Sequence, residues 1–287
     1  IYVFGRFDSN FNEYSKNNFQ SSDGYFGFDL RRNFKKHNFT MNVNRAVLDK
    51  NRLGNENDIN KSGKLTFDFG WQYPTSSNSS IDISLINFSQ NDGQKSKLNQ
   101  TNTDISRRDL SLIFKNKKYL HTLRTSSYER KYSQKRPWND TFDNRDKTQE
   151  NLIEYEVVLK QKFLSSNMIS GAEITYANYY SNRIKSGNQL INNFSLFTQI
   201  DTQHNLKISS SGGVRIDRYS EYETVISPRI ASMYEFNNFF KLRYSWGLGF
   251  RAPSFIERYI DWDHDQYGYS VIGNVDLKPE TSNGSTI

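Results

Sequence analysis

Apolar and polar residues alternate along this chain with a period of two, and the pattern recurs. Over residues 240–251, one set of alternate positions holds Phe240, Leu242, Tyr244, Trp246, Leu248 and Phe250. The other holds Lys241, Arg243, Ser245, Gly247, Gly249 and Arg251. Successive side chains of a strand point to opposite faces, so the pattern predicts a strand with one apolar, aromatic face and one polar or small face. Residues 64–73 divide in the same way, with Leu65, Phe67, Phe69, Trp71 and Tyr73 against Lys64, Thr66, Asp68, Gly70 and Gln72. Leu206, Ile208, Val214 and Ile216 stand against Lys207, Ser209, Arg215 and Asp217. Weaker copies fall at Ile81, Ile83 and Leu85, and at Ile153, Tyr155, Val157 and Leu159.

A soluble sandwich also alternates, so the connections decide. Short ones at residues 35–38, 116–118, 165–167, 202–205 and 237–238 take turns with long polar ones. The long ones span roughly 16–23, 48–62, 89–104, 131–149, 181–189 and 255–278. Tight turns on one side and longer loops on the other are the arrangement of outer-membrane barrels. Strands of about 10–13 residues suit a tilted bilayer crossing and exceed the usual ~5–6 of soluble sheets. The pattern predicts thirteen strands and the start of a fourteenth at residues 280–287. Like Arg215 with Asp217, the polar faces carry paired signs that suit a wet or plugged lumen. Tyr73, Tyr176, Tyr234 and Phe236 near strand ends suit interfacial girdles.

Composition changes this picture little. Only 35% of the 287 residues are hydrophobic and the mean hydropathy is −0.82, yet 21 Phe, 18 Tyr and 4 Trp argue against disorder. No run approaches the ~18 apolar residues of a membrane helix. That excludes a helical membrane protein and leaves a barrel open. With no cysteine, disulfides, thiolate metal sites and cysteine nucleophiles are excluded. The charge of +7, from 38 basic and 31 acidic residues, looks scattered along the chain, so nucleic acid is not expected as a partner.

From residue 226 onward the chain resembles the TonB-dependent outer-membrane receptors. Ser227-Pro228-Arg229-Ile230-Ala231 opens one strand, and a run through Phe250-Arg251-Ala252-Pro253-Ser254 closes another. Gly273-Asn274-Val275-Asp276-Leu277-Lys278-Pro279-Glu280-Thr281-Ser282 follows a long loop. Gly212-Gly213-Val214-Arg215-Ile216-Asp217-Arg218-Tyr219 is similar to the strand that precedes these motifs. The resemblance implies an all-β, antiparallel transmembrane barrel, of which about 14 strands lie here out of about 22. It further implies a Gram-negative outer membrane and energy delivered by the TonB complex through a plug. The chain, residues 1–287, is then expected to be a single domain, the central part of the barrel. Plug and C-terminal strands would lie outside it, since open sheet edges are not tolerated in a bilayer.

The remaining chemistry gathers in residues 259–269, YIDWDHDQYGY. His264 lies between the FRAP sequence and the second motif, an arrangement similar to haem receptors of the family, although Val275 and Asp276 replace their Pro and Asn. Imidazole is a common axial ligand of haem iron, and Trp262, Tyr259, Tyr267 and Tyr269 offer rings to a porphyrin. Arg251 offers a guanidinium to an anionic ligand or a loop carboxylate. Alternatively, Asp261, Asp263 and Asp265 share one face of an extended segment and suit calcium, as in cobalamin receptors of the family.

The expected cargo is therefore an iron carrier, haem or a siderophore, with no permanently bound cofactor. Cobalamin with calcium is the alternative, and a passive porin or adhesin the alternative from another class. Partners would be TonB, lipopolysaccharide and outer-membrane lipid, and a surface lipoprotein. Lys135, Arg136, Trp138, Asp140, Asp143, Arg145 and Asp146 form a mixed-charge stretch expected to be a solvated loop. His37, His121 and His204 sit by the short turns and are expected to be solvated there. Enzyme chemistry is not expected. Asp263, His264 and Asp265 are adjacent and alternate in direction, and no G-x-S-x-G sequence occurs.

Overall fold

A computed structural model describes residues 2–14, 19–52, 59–96, 99–136, 138, 144–264 and 268–287. Its main strands are β1 (Tyr2–Tyr14), β2 (Phe19–Phe34), β3 (His37–Arg52), β4 (Ile59–Ser76), β5 (Ser79–Lys95), β6 (Gln100–Lys115) and β7 (Tyr119–Lys135). They continue with β8 (Asn144–Phe163), β9 (Ser166–Ser181), β10 (Asn188–Gln203), β11 (Ile208–Tyr219), β12 (Val225–Glu235) and β13 (Lys241–Arg251). A short helix, α1 (Phe255–Tyr259), and a hairpin, β14 (Asp261–His264) with β15 (Tyr269–Ile272), precede the last strand, β16 (Glu280–Thr286). Fourteen strands form one sheet in chain order, with β16 beside β13, so the helix and hairpin are an excursion between neighbouring strands.

The thirteen-plus-one strand count is borne out, but the strands run further than the alternation suggested. β8 has 20 residues and β4 has 18, and most of residues 89–104 and 131–149 belongs to strands. Beyond the lipid boundary neither face needs to be apolar. Hydrogen bonding to a neighbour continues there without a sequence pattern to announce it. Likewise Arg145 and Asp146 lie in β8, and Asp146 is buried between Arg130 (3.6 Å) and Arg183 (3.0 Å) rather than solvated. Asp140 and Asp143 lie outside the described residues.

The sheet is inverted relative to a soluble one. Among the described residues the most deeply covered side chains are Asp217, Ser181 and Ser195, whereas Leu196, Ile230, Leu242 and Leu248 are exposed on the other face. Water would penalise such a surface by about 1.5–3 kcal/mol per large apolar side chain, and lipid would not. Pro228 marks a limit inside the sheet. It pairs with Val214 in β11, but the β12–β13 ladder stops one residue short of it, at Arg229, since proline has no N–H to donate.

The chain divides into two compact units. One comprises Ile1–Leu112, Arg124–Leu152 and Tyr179–Arg183; the other comprises Ile113–Leu123, Ile153–Asn178 and Ile184–Ile287. In the first, His37 is not a solvated turn residue. It stacks on Phe39, Trp71 and Tyr73 and accepts a hydrogen bond from the Trp71 indole at 3.1 Å. In the second, His121 contacts the rings of Phe114 and Tyr119 and bonds the Tyr155 hydroxyl at 2.8 Å. Both belong to aromatic clusters at strand ends, where an amphipathic ring suits the lipid–water boundary. Of the three histidines near the short turns, His204 alone is exposed, bonded to Ser210 at 2.7 Å.

Candidate ligand-capture loop

The excursion after β13 is built on Arg251. Its guanidinium makes two carboxylate pairs, with Glu257 of α1 (3.0 and 3.2 Å) and with Glu280, its register partner in β16 (2.9 and 3.0 Å). Both ends of the 28-residue segment 252–279 are thus held by one side chain. Pro253 is buried and ends the ladder. Ser254 then caps α1: its hydroxyl accepts from the Glu257 N–H while Glu257 accepts from the Ser254 N–H at 2.7 Å, a complete capping box.

The second motif closes over the C-terminal end of α1. Gly273 donates to the Ile260 carbonyl at 2.7 Å and Asn274 to the Glu257 carbonyl at 3.1 Å. The two chains approach so closely that a Cβ on Gly273 would lie 2.6–2.8 Å from backbone atoms of Arg258 and Tyr259. Asn274 then turns the chain, its side chain accepting from the Asp276 N–H at 2.9 Å and its carbonyl from Leu277 at 3.2 Å.

Arg258 fastens this turn from inside. Buried despite its charge, it donates twice to the Val275 carbonyl (2.7 and 3.2 Å) and once to Glu221 in the β11–β12 connection (3.5 Å). Its guanidinium lies over the rings of Tyr259 and Tyr222 at 5.0 and 5.9 Å. Tyr259 itself donates to Glu221 at 2.8 Å. Burial pushes the hydroxyls of Tyr222 and Tyr259 above the ordinary phenol range, so both stay protonated donors at physiological pH. A bridge between Ile184 and Ile260 ties the β9–β10 connection to the same point.

The structure therefore sorts the sequence-predicted residues into two groups. Arg251, Tyr259 and the motif residues Ala252, Pro253, Asn274, Leu277, Lys278, Pro279 and Glu280 lie in or beside the clasp at the base of the excursion, with Phe250 packing edge-on against Tyr219 at 6.1 Å. The hairpin carries the others. Trp262 pairs with Val271, the His264 position with Tyr269, Asp261 with Ile272 and Asp263 with Ser270. Register places Trp262 and Tyr269 on one face and Asp261 and Asp263 on the other. Asp265 and Tyr267 lie outside the described residues. Among the described residues no group of three or more His, Cys, Asp or Glu is gathered closely enough to hold a metal ion. Sequence reasoning missed the roles of Ser254, Glu257, Arg258, Glu221 and Gly273. The first two had a legible signal, Ser-x-x-Glu ahead of an apolar pair.

The clasp has a pH signature. Arg251 first, with the Ser254 backbone N–H and hydroxyl, holds the Glu257 carboxyl down at about 2 against an ordinary 4.5. A depressed carboxyl contributes fully above its ordinary value and loses that contribution as pH falls through the depressed one. Hydrogen-exchange protection of residues 254–260, corrected for intrinsic rates, is expected to be equal at pH 7 and pH 5, to decline progressively as pH falls below 4.5, and to have lost the Glu257 contribution once pH has passed through about 2. Protection that stays level from pH 5 down to about 2 would show that the Arg251 pair does not form.

An all-strand wall, polar and ion-paired on one face and lipid-suited on the other, with long connections on one side only, defines an outer-membrane β-barrel segment. The chain belongs to the TonB dependent receptor-like, beta-barrel family, whose model matches residues 3–287. Over 70 residues it is 36% identical to the iron-regulated outer membrane virulence protein of Vibrio cholerae serotype O1, a match covering 24% of this chain and 11% of that protein. It is similar in fold to the siderophore receptor PirA of Pseudomonas aeruginosa, with a TM-score of 0.69 at 13% identity, over 96% of this chain and 50% of that one. The hemophore receptor HasR of Serratia marcescens, solved with its hemophore HasA and heme, gives 0.69 at 12% identity over 95% and 51%. The chain thus spans about half the length of these solved structures.

Proposed function

We propose that this barrel segment belongs to a receptor for TonB-dependent active uptake of an iron carrier, haem or a siderophore, with energy reaching it through a plug. The observation that carries the reading is the hairpin of β14 and β15. A Trp–Tyr face, with the His264 position opposite Tyr269, is held at the end of a clasp rather than on an unstructured loop. An aromatic pair, with a histidine in the same hairpin, suits a flat, iron-containing ligand. The similar proteins, an iron-regulated outer-membrane protein, a siderophore receptor and a hemophore receptor, support the same reading. Calcium at the aspartates is the second reading, favoured by Asp261 and Asp263 falling on one hairpin face.

Titration of the intact receptor with haem and with ferric siderophores tests both readings. His264→Ala is expected to weaken haem binding by roughly tenfold or more and to alter the Soret band, as loss of an axial ligand does. A wild-type receptor indifferent to haem but saturable by a ferric siderophore would move the cargo to that class. Calcium-dependent cobalamin binding, lost in Asp261→Ala/Asp263→Ala, would replace the iron reading altogether.

A further inference from the structure

The cations of this chain are not spread evenly. The short turns of the sheet centre on residues 35–36, 77–78, 116–118, 164–165, 204–207 and 236–240. Within four residues of these turns stand twelve Lys and Arg against three carboxylates, Asp82, Asp201 and Glu235, while the whole chain has 38 against 31. The scattered look of the charge therefore disappears once the residues are placed on the fold. The long connections are mixed in sign and the short-turn ends are basic.

The same turns carry apolar tips. In the second unit Leu164 is 88% exposed, Leu206 95% and Phe239 99%, beside exposed Lys117, Lys118, Lys160, Lys162 and Lys207. Leu164 also sits at a φ of 55°, a conformation that two-residue hairpins ordinarily give to Asn or Gly. In the first unit Lys35, with a φ of 53°, and Arg32 both lie over the Phe34 ring at under 6 Å. Water gives no reason for a bulky apolar residue at a fully exposed tip between lysines. A headgroup layer does, since apolar tips insert at the acyl boundary while lysines reach phosphates. The tips also continue the lipid-facing band, through Tyr119, Phe163, Phe236 and Phe240.

We infer that in each unit the short-turn ends form a docking surface for anionic phospholipid, holding that unit's strands at a fixed depth by inserted tips and phosphate-paired lysines. The inference stands on charge and exposure, independently of the cargo proposed above. It is tested on the intact receptor in nanodiscs of mixed phosphatidylglycerol and phosphatidylcholine, with retained lipid counted by native mass spectrometry.

Wild type is expected to retain phosphatidylglycerol preferentially, by about fivefold per engaged lysine at low salt. A large excess of inorganic phosphate should leave that preference intact. Lys117→Gln/Lys118→Gln/Lys160→Gln/Lys162→Gln is expected to abolish the preference, and Leu164→Ser/Leu206→Ser/Phe239→Ser to speed lipid exchange with the charges in place. Lys185→Gln/Lys278→Gln, on the long connections, should change neither. An unaltered preference in the four-lysine variant, or equal loss in the Lys185/Lys278 control, would overturn the proposal. So would displacement by free phosphate, or lipid exchange unmoved in the tip variant. A receptor that still folds is recognised by its compact, heat-modifiable band on a gel.

Discussion

Gly273→Ala is expected to release the excursion between β13 and β16 from its base. The alanine Cβ would stand 2.6 Å from the Arg258 carbonyl carbon, 2.7 Å from its oxygen and 2.8 Å from the Tyr259 nitrogen, all of them backbone atoms with no side-chain freedom to yield. Either the helix or the segment at Gly273 must move. Both are pinned, the helix by its capping box and the segment by the bond to Ile260. Overpacking of this kind costs about 1–3 kcal/mol, and with backbone on both sides the upper end applies, roughly a hundredfold in the local opening equilibrium.

Hydrogen exchange at Gly273 and Asn274 should accelerate by that factor, while the amides of β10 to β13 stay protected. Gly284→Ala is the control, since a Cβ there meets nothing within 4 Å. If Gly273→Ala leaves exchange unchanged, the close approach is not a constraint and the clasp rests on the contacts of Arg251 and Arg258. A hairpin freed in this way should also bind its ligand less well, because a flexible site must be ordered at the moment of capture.

Much of the wall was legible because lipid writes a period of two into the sequence. Leu242, Tyr244 and Leu248 face one way and Arg243, Ser245 and Gly247 the other, and the strand lies where the pattern says. The legibility ended where the lipid does. Asn144–Gln149 opens the longest strand with six polar residues, and no alternation distinguishes it from a loop. The motifs of the excursion could be recognised but their physics could not. That Gly273 passes over the Arg258 backbone, or that a buried Arg258 reaches Val275 and Glu221, depends on segments far apart in sequence meeting. His37 and His121 were misjudged for the same reason. Turn proximity suggested water, and the rings of Trp71, Tyr73, Phe114 and Tyr155 come from other strands.

Arg215→Met is expected to be the most destabilising single change in the wall. Asp217 is 1% exposed and accepts from Ser195 at 2.6 Å and from the Arg215 Nε at 2.9 Å. Arg215 also pairs with Glu173 at 3.1 Å, donates to Ser195 at 2.8 Å and lies over the Phe197 ring at 5.7 Å. Asn193 donates to Ser195 from the other side at 2.9 Å. One guanidinium therefore serves two carboxylates, on β9 and β11, and a hydroxyl on β10 between them. Removing it leaves a buried charge with only the Ser195 hydroxyl for company, and breaking such a pair from one side costs about 3–5 kcal/mol.

Arg215→Met/Asp217→Leu should recover part of that loss, because the uncompensated buried carboxylate is gone. Guanidinium chloride unfolding of the intact receptor in vesicles would show the single variant with a lowered midpoint and the double variant between it and wild type. A single-variant loss below about 1 kcal/mol would mean that Asp217 reaches water when Arg215 is absent. The network would then serve the polar face as a surface for whatever fills the lumen, and the stability of the wall would rest on its backbone ladder and its lipid-facing side chains.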